Sequence, residues 1–136
     1  MLRFPLVTRY SDYDTKGHVN NAVYLTYFEW ARLQAWRKVA TGKPGLTETD
    51  IFDPPLIVAE ARVKYVSPAN IGVAMAIEIS VKEVRTKGFS FAYRIVAPDE
   101  NDRVIAEGET VQVAYDYAAG RTMAIPPEMR DALEGM

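Results

Sequence analysis

The sequence contains no cysteine and a single histidine among its 136 residues. Without cysteine there is no disulfide, no thiolate nucleophile and no Cys-bound zinc. One histidine cannot build a multi-histidine metal centre, so a metal would need carboxylates and water. A strong charge of either sign is lacking too: 16 Lys+Arg stand against 18 Asp+Glu, a formal net charge of -2. Such a chain has no global field with which to hold a nucleic-acid backbone, and nucleic acid is not an expected partner. A local basic patch for a small phosphorylated ligand stays open. No apolar run is long and charge-free enough to span a bilayer, so no membrane association is expected. The opening MLRFPLVTRY lacks the apolar core and small-residue cleavage pattern of a signal peptide; it reads as a first strand, and the expected location is cytoplasmic. Walker and G-x-G-x-x-G phosphate loops, the G-x-S-x-G elbow and H-E-x-x-H are all missing.

What is present is 49% hydrophobic and 25% charged, ordinary for a globular protein. One domain spanning residues 1–136 is expected, large enough to fold without a metal or covalent staple. A helix is predicted from about Asn21 to Ala40, ending before Gly42 and Pro44. Its apolar residues, from Ala22, Val23, Tyr24 and Leu25 through Trp30, Leu33 and Trp36 to Val39, cover most of its circumference. That coverage predicts a helix wrapped by other structure, with Glu29 and Arg32 pairing on a narrow outer side. After a Gly-, Pro- and Thr-rich loop the period changes to two, and four strands follow, separated by SPAN, RTKG and APDEND. In the last strand the apolar parity shifts beside Gly108, which predicts a β-bulge there. AIPPEMRDALEGM reads as a short terminal helix. The class is α+β: one long central helix wrapped by a curved antiparallel five-stranded sheet, whose long edges favour pairing with a second copy.

The densest cluster of polar groups stands directly before the helix, in RYSDYDTKGHVNN. Asp14-Thr15-Lys16-Gly17 suits a type I turn, and Asn20 suits an N-cap, making Asn21 the first helical residue. Leading helix N–H groups lack partners within the helix and carry partial positive charge. A carboxylate, Asp14, therefore sits a few residues before an anion-stabilising backbone N–H at Asn21 or a neighbour. Acyl transfer to water needs that combination. A thioester carbonyl lodged on the N–H would have its oxyanion stabilised, and Asp14 would either attack the carbonyl or activate a water. Partial burial beside an apolar helix would raise the pKa of Asp14 and with it its basicity. Asp12 reads as a solvated turn residue or a partner of Arg9, and His18 as a structural hydrogen-bonder. Tyr24 and Phe28, one helical turn apart, either fill the core or wall an acyl pocket. Arg85, Lys87 and Arg121, in turns or near strand ends, are the candidates for contacts to a nucleotide phosphate.

YSDYDTKGHVNNAVYLTYFEWAR resembles the start of hotdog-fold acyl-CoA thioesterases of the 4-hydroxybenzoyl-CoA thioesterase type. The likeness extends through ARVKYVSPANIG and VQVAYDYAAGRTMAIPPEMR, nearly the whole chain. It implies that Asp14 is the catalytic aspartate and that the Asn21 N–H polarises the carbonyl, with Gly17, His18, Asn20, Tyr24 and Phe28 bordering the substrate. It further implies a homodimer or a homotetramer built as a dimer of dimers, active sites at the subunit interface, CoA as carrier and no metal or other cofactor. HVNN is similar to acyl-carrier-protein thioesterases as well, so that carrier is the alternative. A same-fold dehydratase, for which His18 is the sole histidine, and a non-catalytic acyl-CoA binding module complete the set of expectations.

Overall fold

The computed structural model describes all residues, 1–136. Strand β1 (Leu2–Leu6) leads into the polar loop, helix α1 (Val23–Ala40), a short helix α2 (Glu48–Phe52) and strand β2 (Leu56–Tyr65). Strands β3 (Met75–Val84), β4 (Gly88–Ala97) and β5 (Arg103–Asp116) follow, then a two-residue strand β6 (Arg121–Thr122) and helix α3 (Pro127–Leu133). The five long strands form one antiparallel sheet in the order β1-β3-β4-β5-β2, and β6 adds a short sixth strand beside β5. This is the expected helix-in-a-curved-sheet architecture.

Curvature comes from three places where one strand carries an extra residue: Ala59 in β2, Lys82 in β3 and Ile105 in β5. The bulge expected beside Gly108 is absent. Ala106, Thr110, Gln112 and Ala114 all turn inward and are buried, whereas Val111 and Val113 are only partly covered. Two polar residues on the inner face had disguised an unbroken parity. Gly108 serves close packing instead: a Cβ there would lie 2.5 Å from Cζ of Phe28 and 2.6 Å from the carbonyl oxygen of Arg62.

Helix α1 buries one stripe, Tyr24, Tyr27, Phe28, Ala31, Ala35, Trp36 and Ala40, at the spacing of three and four that a 3.6-residue period demands. Alanines at 31, 35 and 40, each fully covered, let the helix approach the sheet closely. Phe28 stacks on Tyr93 of β4 with ring centroids 4.3 Å apart. The helix is not wrapped all round within one chain. Leu25 and Trp30 face outward at 43% and 38% exposure, and an ion pair between Glu29 and Arg32 does not form.

Strands β2 and β3 are neighbours in sequence but lie at different positions in the sheet. The segment joining them, residues 66–74, therefore crosses the open end of the sheet and meets the polar loop before α1. Backbone bonds lace the two: Val19 N–H donates to Ala69 C=O at 2.9 Å, and Ile71 N–H donates to Gly17 C=O at 3.0 Å.

Candidate active site

The loop that holds Asp14 is built almost entirely by main-chain bonds. Gly17 N–H donates to Asp14 C=O at 3.0 Å, closing the turn, and Asp14 N–H donates to His18 C=O at 2.8 Å. Gly17 has φ +74°, a conformation that side chains disfavour. Asp14 Oδ1 accepts from the N–H groups of Lys16 (2.8 Å) and His18 (3.2 Å). Its other oxygen has no protein partner, and the residue is exposed.

Those two donors favour the ionised form. The backbone N–H of His18, then that of Lys16, hold the carboxyl below its usual range. The expected rise through burial does not occur, because Asp14 lies at the protein surface rather than against the helix. It is a weak base that stays charged at all ordinary pH.

Helix α1 begins two residues later than expected, at Val23, with Ala22 in the cap position. Asn20 is not the cap. It makes the turn before it: Oδ1 accepts from Ala22 N–H at 2.9 Å and the carbonyl accepts from Val23 N–H at 3.0 Å. The N–H of Asn21 donates to nothing in the chain. Its own carbonyl accepts a 2.7 Å bond from the Tyr65 hydroxyl at the end of β2. The turn is thus pinned on both sides of one vacant donor.

Asp14, His18, Asn21 and Tyr24 share an open cleft of about 360 Å3 with Tyr65 at the end of β2 and with Val66, Ser67 and Pro68 of the crossing segment. Tyr24 is buried beneath it, edge-on to Tyr65 at 5.3 Å, and burial raises its phenol pKa. Behind the far wall, Arg103 donates to Ser67 Oγ (2.7 Å) and Pro68 C=O (3.0 Å). His18 bonds Asp14 through its backbone; its imidazole forms no hydrogen bond. Gly17 and Asn20 shape the loop without lining the cleft, and Phe28 lies in the core. Arg85 and Lys87 line a separate groove with Glu60, Glu83 and Glu109, where Arg85 pairs with Glu83 at 2.9 Å. Arg121 is exposed on β6.

Asp12 supports this loop from inside. It is buried at 3% exposure, where a solvated position was one expectation, and it accepts from Arg9 N–H and the Tyr27 hydroxyl, each at 2.9 Å. Burial, and next the bond to Asp12, push the Tyr27 phenol far above its ordinary value. Tyr65, Ser67, Pro68 and Arg103 reach the site from a distant strand or loop; the first three lie in the ARVKYVSPANIG stretch, whose likeness assigned them no role. No three His, Cys, Asp or Glu side chains come together as metal donors, and no helix is long and apolar enough to cross a membrane.

A curved antiparallel sheet around one helix is the hotdog fold. The model of the Thioesterase-like superfamily matches residues 8–133, and the chain belongs to that family. Among the proteins it is similar to is the acyl-CoA thioester hydrolase YbgC of Escherichia coli O6:H1, 25% identical over 93% of this chain and 90% of the relative. The long-chain acyl-CoA thioesterase FadM of Escherichia coli K12 is 25% identical over 90% and 89%. Among solved structures, a thioesterase from Thermus thermophilus complexed with coenzyme A and Zn superposes with a TM-score of 0.82, at 24% identity, covering 98% of this chain and 91% of that one. That structure supports the fold.

Proposed function

We propose that this protein hydrolyses acyl-CoA thioesters, with Asp14 as nucleophile or general base and the Asn21 N–H as oxyanion donor. The observation that carries the reading is one cleft holding an ionised carboxylate with a free oxygen beside an unpaired backbone N–H. The YbgC and FadM relatives, an acyl-CoA thioester hydrolase and a long-chain acyl-CoA thioesterase, support it.

A thioester carbonyl seated on Asn21 N–H gains stabilisation as its oxygen becomes negative; removing one such donor from an enzyme typically costs about 3 kcal/mol. Asp14 delivers the electrons in either of two balanced ways. Its free oxygen bonds to the carbonyl carbon, expelling the CoA thiolate and leaving a mixed anhydride for water to cleave. Alternatively, it takes a proton from a water whose oxygen bonds to the same carbon; the tetrahedral intermediate then breaks its C–S bond, releasing the CoA thiolate and the carboxylic acid. Neither route calls on a metal.

The active unit in this reading is a homodimer joined along β2. That strand is a sheet edge with unpaired backbone groups, exposing Val58 and Tyr65 at 45% and 51%. Antiparallel self-pairing sets the Leu56 end of one β2 beside the Tyr65 end of the other, so each Asp14 cleft borders the second copy.

The test is thiol release from acyl-CoAs of varied chain length, with light scattering on the same preparation to read the dimer. Wild type should release thiol, and Asp14→Ala should lose about 1000-fold in kcat. Binding without turnover by wild type would leave a binding module, and unchanged turnover by Asp14→Ala would remove Asp14 from the chemistry.

A further inference from the structure

Tyr24, Tyr27 and Tyr93 are the buried tyrosines, and two of them spend their hydroxyls inside the protein. Tyr27 donates to Asp12 Oδ2 at 2.9 Å, and Tyr93 shares a 2.7 Å bond with Thr110 Oγ1. Tyr24 is the exception. The residue is 3% exposed, yet its hydroxyl bonds to no protein group and is not sealed from solvent. It lines the cleft that holds Asp14 and Asn21. Polar groups of buried side chains are normally bonded, so an exception at a cleft calls for a ligand.

The side chain is held in place from two sides. Its ring stands edge-on to Tyr27 at 6.1 Å and to Tyr65 at 5.3 Å. Side chains on a helix lean toward its N-terminal end, which carries Tyr24 back over the turn that presents the Asn21 N–H. Tyr65 braces both parts of that corner, its ring against Tyr24 and its hydroxyl on the Asn21 carbonyl. Burial, and next Tyr65, raise the Tyr24 phenol above its ordinary value, against the pull of Arg103. The group is therefore a neutral donor at any working pH.

We propose that the Tyr24 hydroxyl is a second donor to the thioester carbonyl oxygen, acting beside the Asn21 N–H. The proposal rests on the thioesterase reading and adds a catalytic side chain to it. As the carbonyl carbon is attacked, charge collects on its oxygen and the O–H bond to that oxygen strengthens. No proton changes hands: the phenol is neutral before and after. A donor already fixed at the place where charge develops needs no reorganisation during the reaction. An acyl-CoA that fills the cleft also supplies the acceptor that the protein withholds from this hydroxyl.

Two measurements test it. Tyr24→Phe deletes the hydroxyl and keeps the ring. It should lower kcat at least about tenfold with KM within about threefold of wild type. Its Tm should stay within about 2 °C, because the lost group bonds to nothing in the protein. An unchanged kcat, a rise in KM alone, or a larger fall in Tm overturns the role. The second measurement reads the carbonyl itself, in acylmethyl-CoA ketones of short, medium and long chain. These carry a methylene between carbonyl and sulfur and cannot be hydrolysed. With 13C at the carbonyl, infrared difference spectra should place the C=O stretch of the bound ketone lower in wild type than in Tyr24→Phe. Equal frequencies overturn the donation, as does failure of every ketone to bind wild type. If wild type cleaves no acyl-CoA, the thioesterase reading falls, while the ketone spectra still decide whether Tyr24 meets an acyl carbonyl. Should Tyr24→Phe not fold, Tyr24→fluorotyrosine keeps the hydroxyl and gives a 19F signal that the bound ketone should move; an unmoved signal overturns the proposal.

Discussion

Gly108→Ala tests the packing that holds α1 against the sheet. The added Cβ would meet Cζ of Phe28 at 2.5 Å and the Arg62 carbonyl oxygen at 2.6 Å, where carbon contacts prefer about 3.5–4.0 Å. Relief requires one neighbour to recede by about 1 Å. Phe28 has no room, being fully buried and stacked on Tyr93 at 4.3 Å, and the Arg62 carbonyl belongs to the β2–β5 ladder. Overpacking of this kind costs about 1–3 kcal/mol, and the backbone clash places this case near 3 kcal/mol. A chain of 136 residues unfolds with an entropy of about 0.3 kcal/mol/K, so Tm should fall by about 10 °C. Calorimetry at fixed protein concentration reads it, since the Tm of the proposed dimer would depend on concentration. Adding Phe28→Leu should recover part of the loss, so that the double variant is more stable than the summed single effects by about 1 kcal/mol or more. A Gly108→Ala protein melting within about 2 °C of wild type, or strict additivity with Phe28→Leu, would refute the steric account.

Two further outcomes concern the site. In the proposed reaction Asp14 works ionised, and its folded pKa is depressed by two backbone donors, so kcat/KM should stay level from neutral pH down to the usual carboxylate range and fall only below it. A depressed carboxyl also contributes stability that is present above its unfolded pKa and lost as pH falls through the folded one, so circular dichroism at each pH must separate unfolding from titration. An acid limb near pH 6 in folded protein would show that another group controls the rate. Tyr65→Phe removes the bond that pins the Asn21 carbonyl while keeping the ring against Tyr24. It should lower kcat by about 3- to 10-fold at unchanged KM, with little change in Tm because Tyr65 is half exposed. An unaltered kcat would show that the turn holds its geometry without this bond.

Features that depend on local order were readable from the sequence alone. The period-two strands, the long helix and the Asp14–Gly17 turn are set by near neighbours, and each is present in the structure. Misreadings arose where tertiary contacts override local pattern. Thr110 and Gln112 are polar yet face inward, which mimicked a parity shift. Asn20 has the composition of a cap but bonds one turn early, so the helix starts at Val23. The all-round apolarity of α1 was read as a helix wrapped by other structure, whereas within one chain Leu25 and Trp30 remain on its outside. Tyr65, Ser67 and Pro68 join the site only because the β2–β3 segment crosses the open end of the sheet, a route that strand order decides and short-range sequence does not encode.

Both bonds that aim Asp14 come from peptide nitrogens, so the identities of residues 16 and 18 beyond the backbone are free to drift. A lineage can rewrite the charge and shape around this loop without ever loosening Asp14. Proline is the one replacement such a loop forbids at those two places, since it alone brings no N–H.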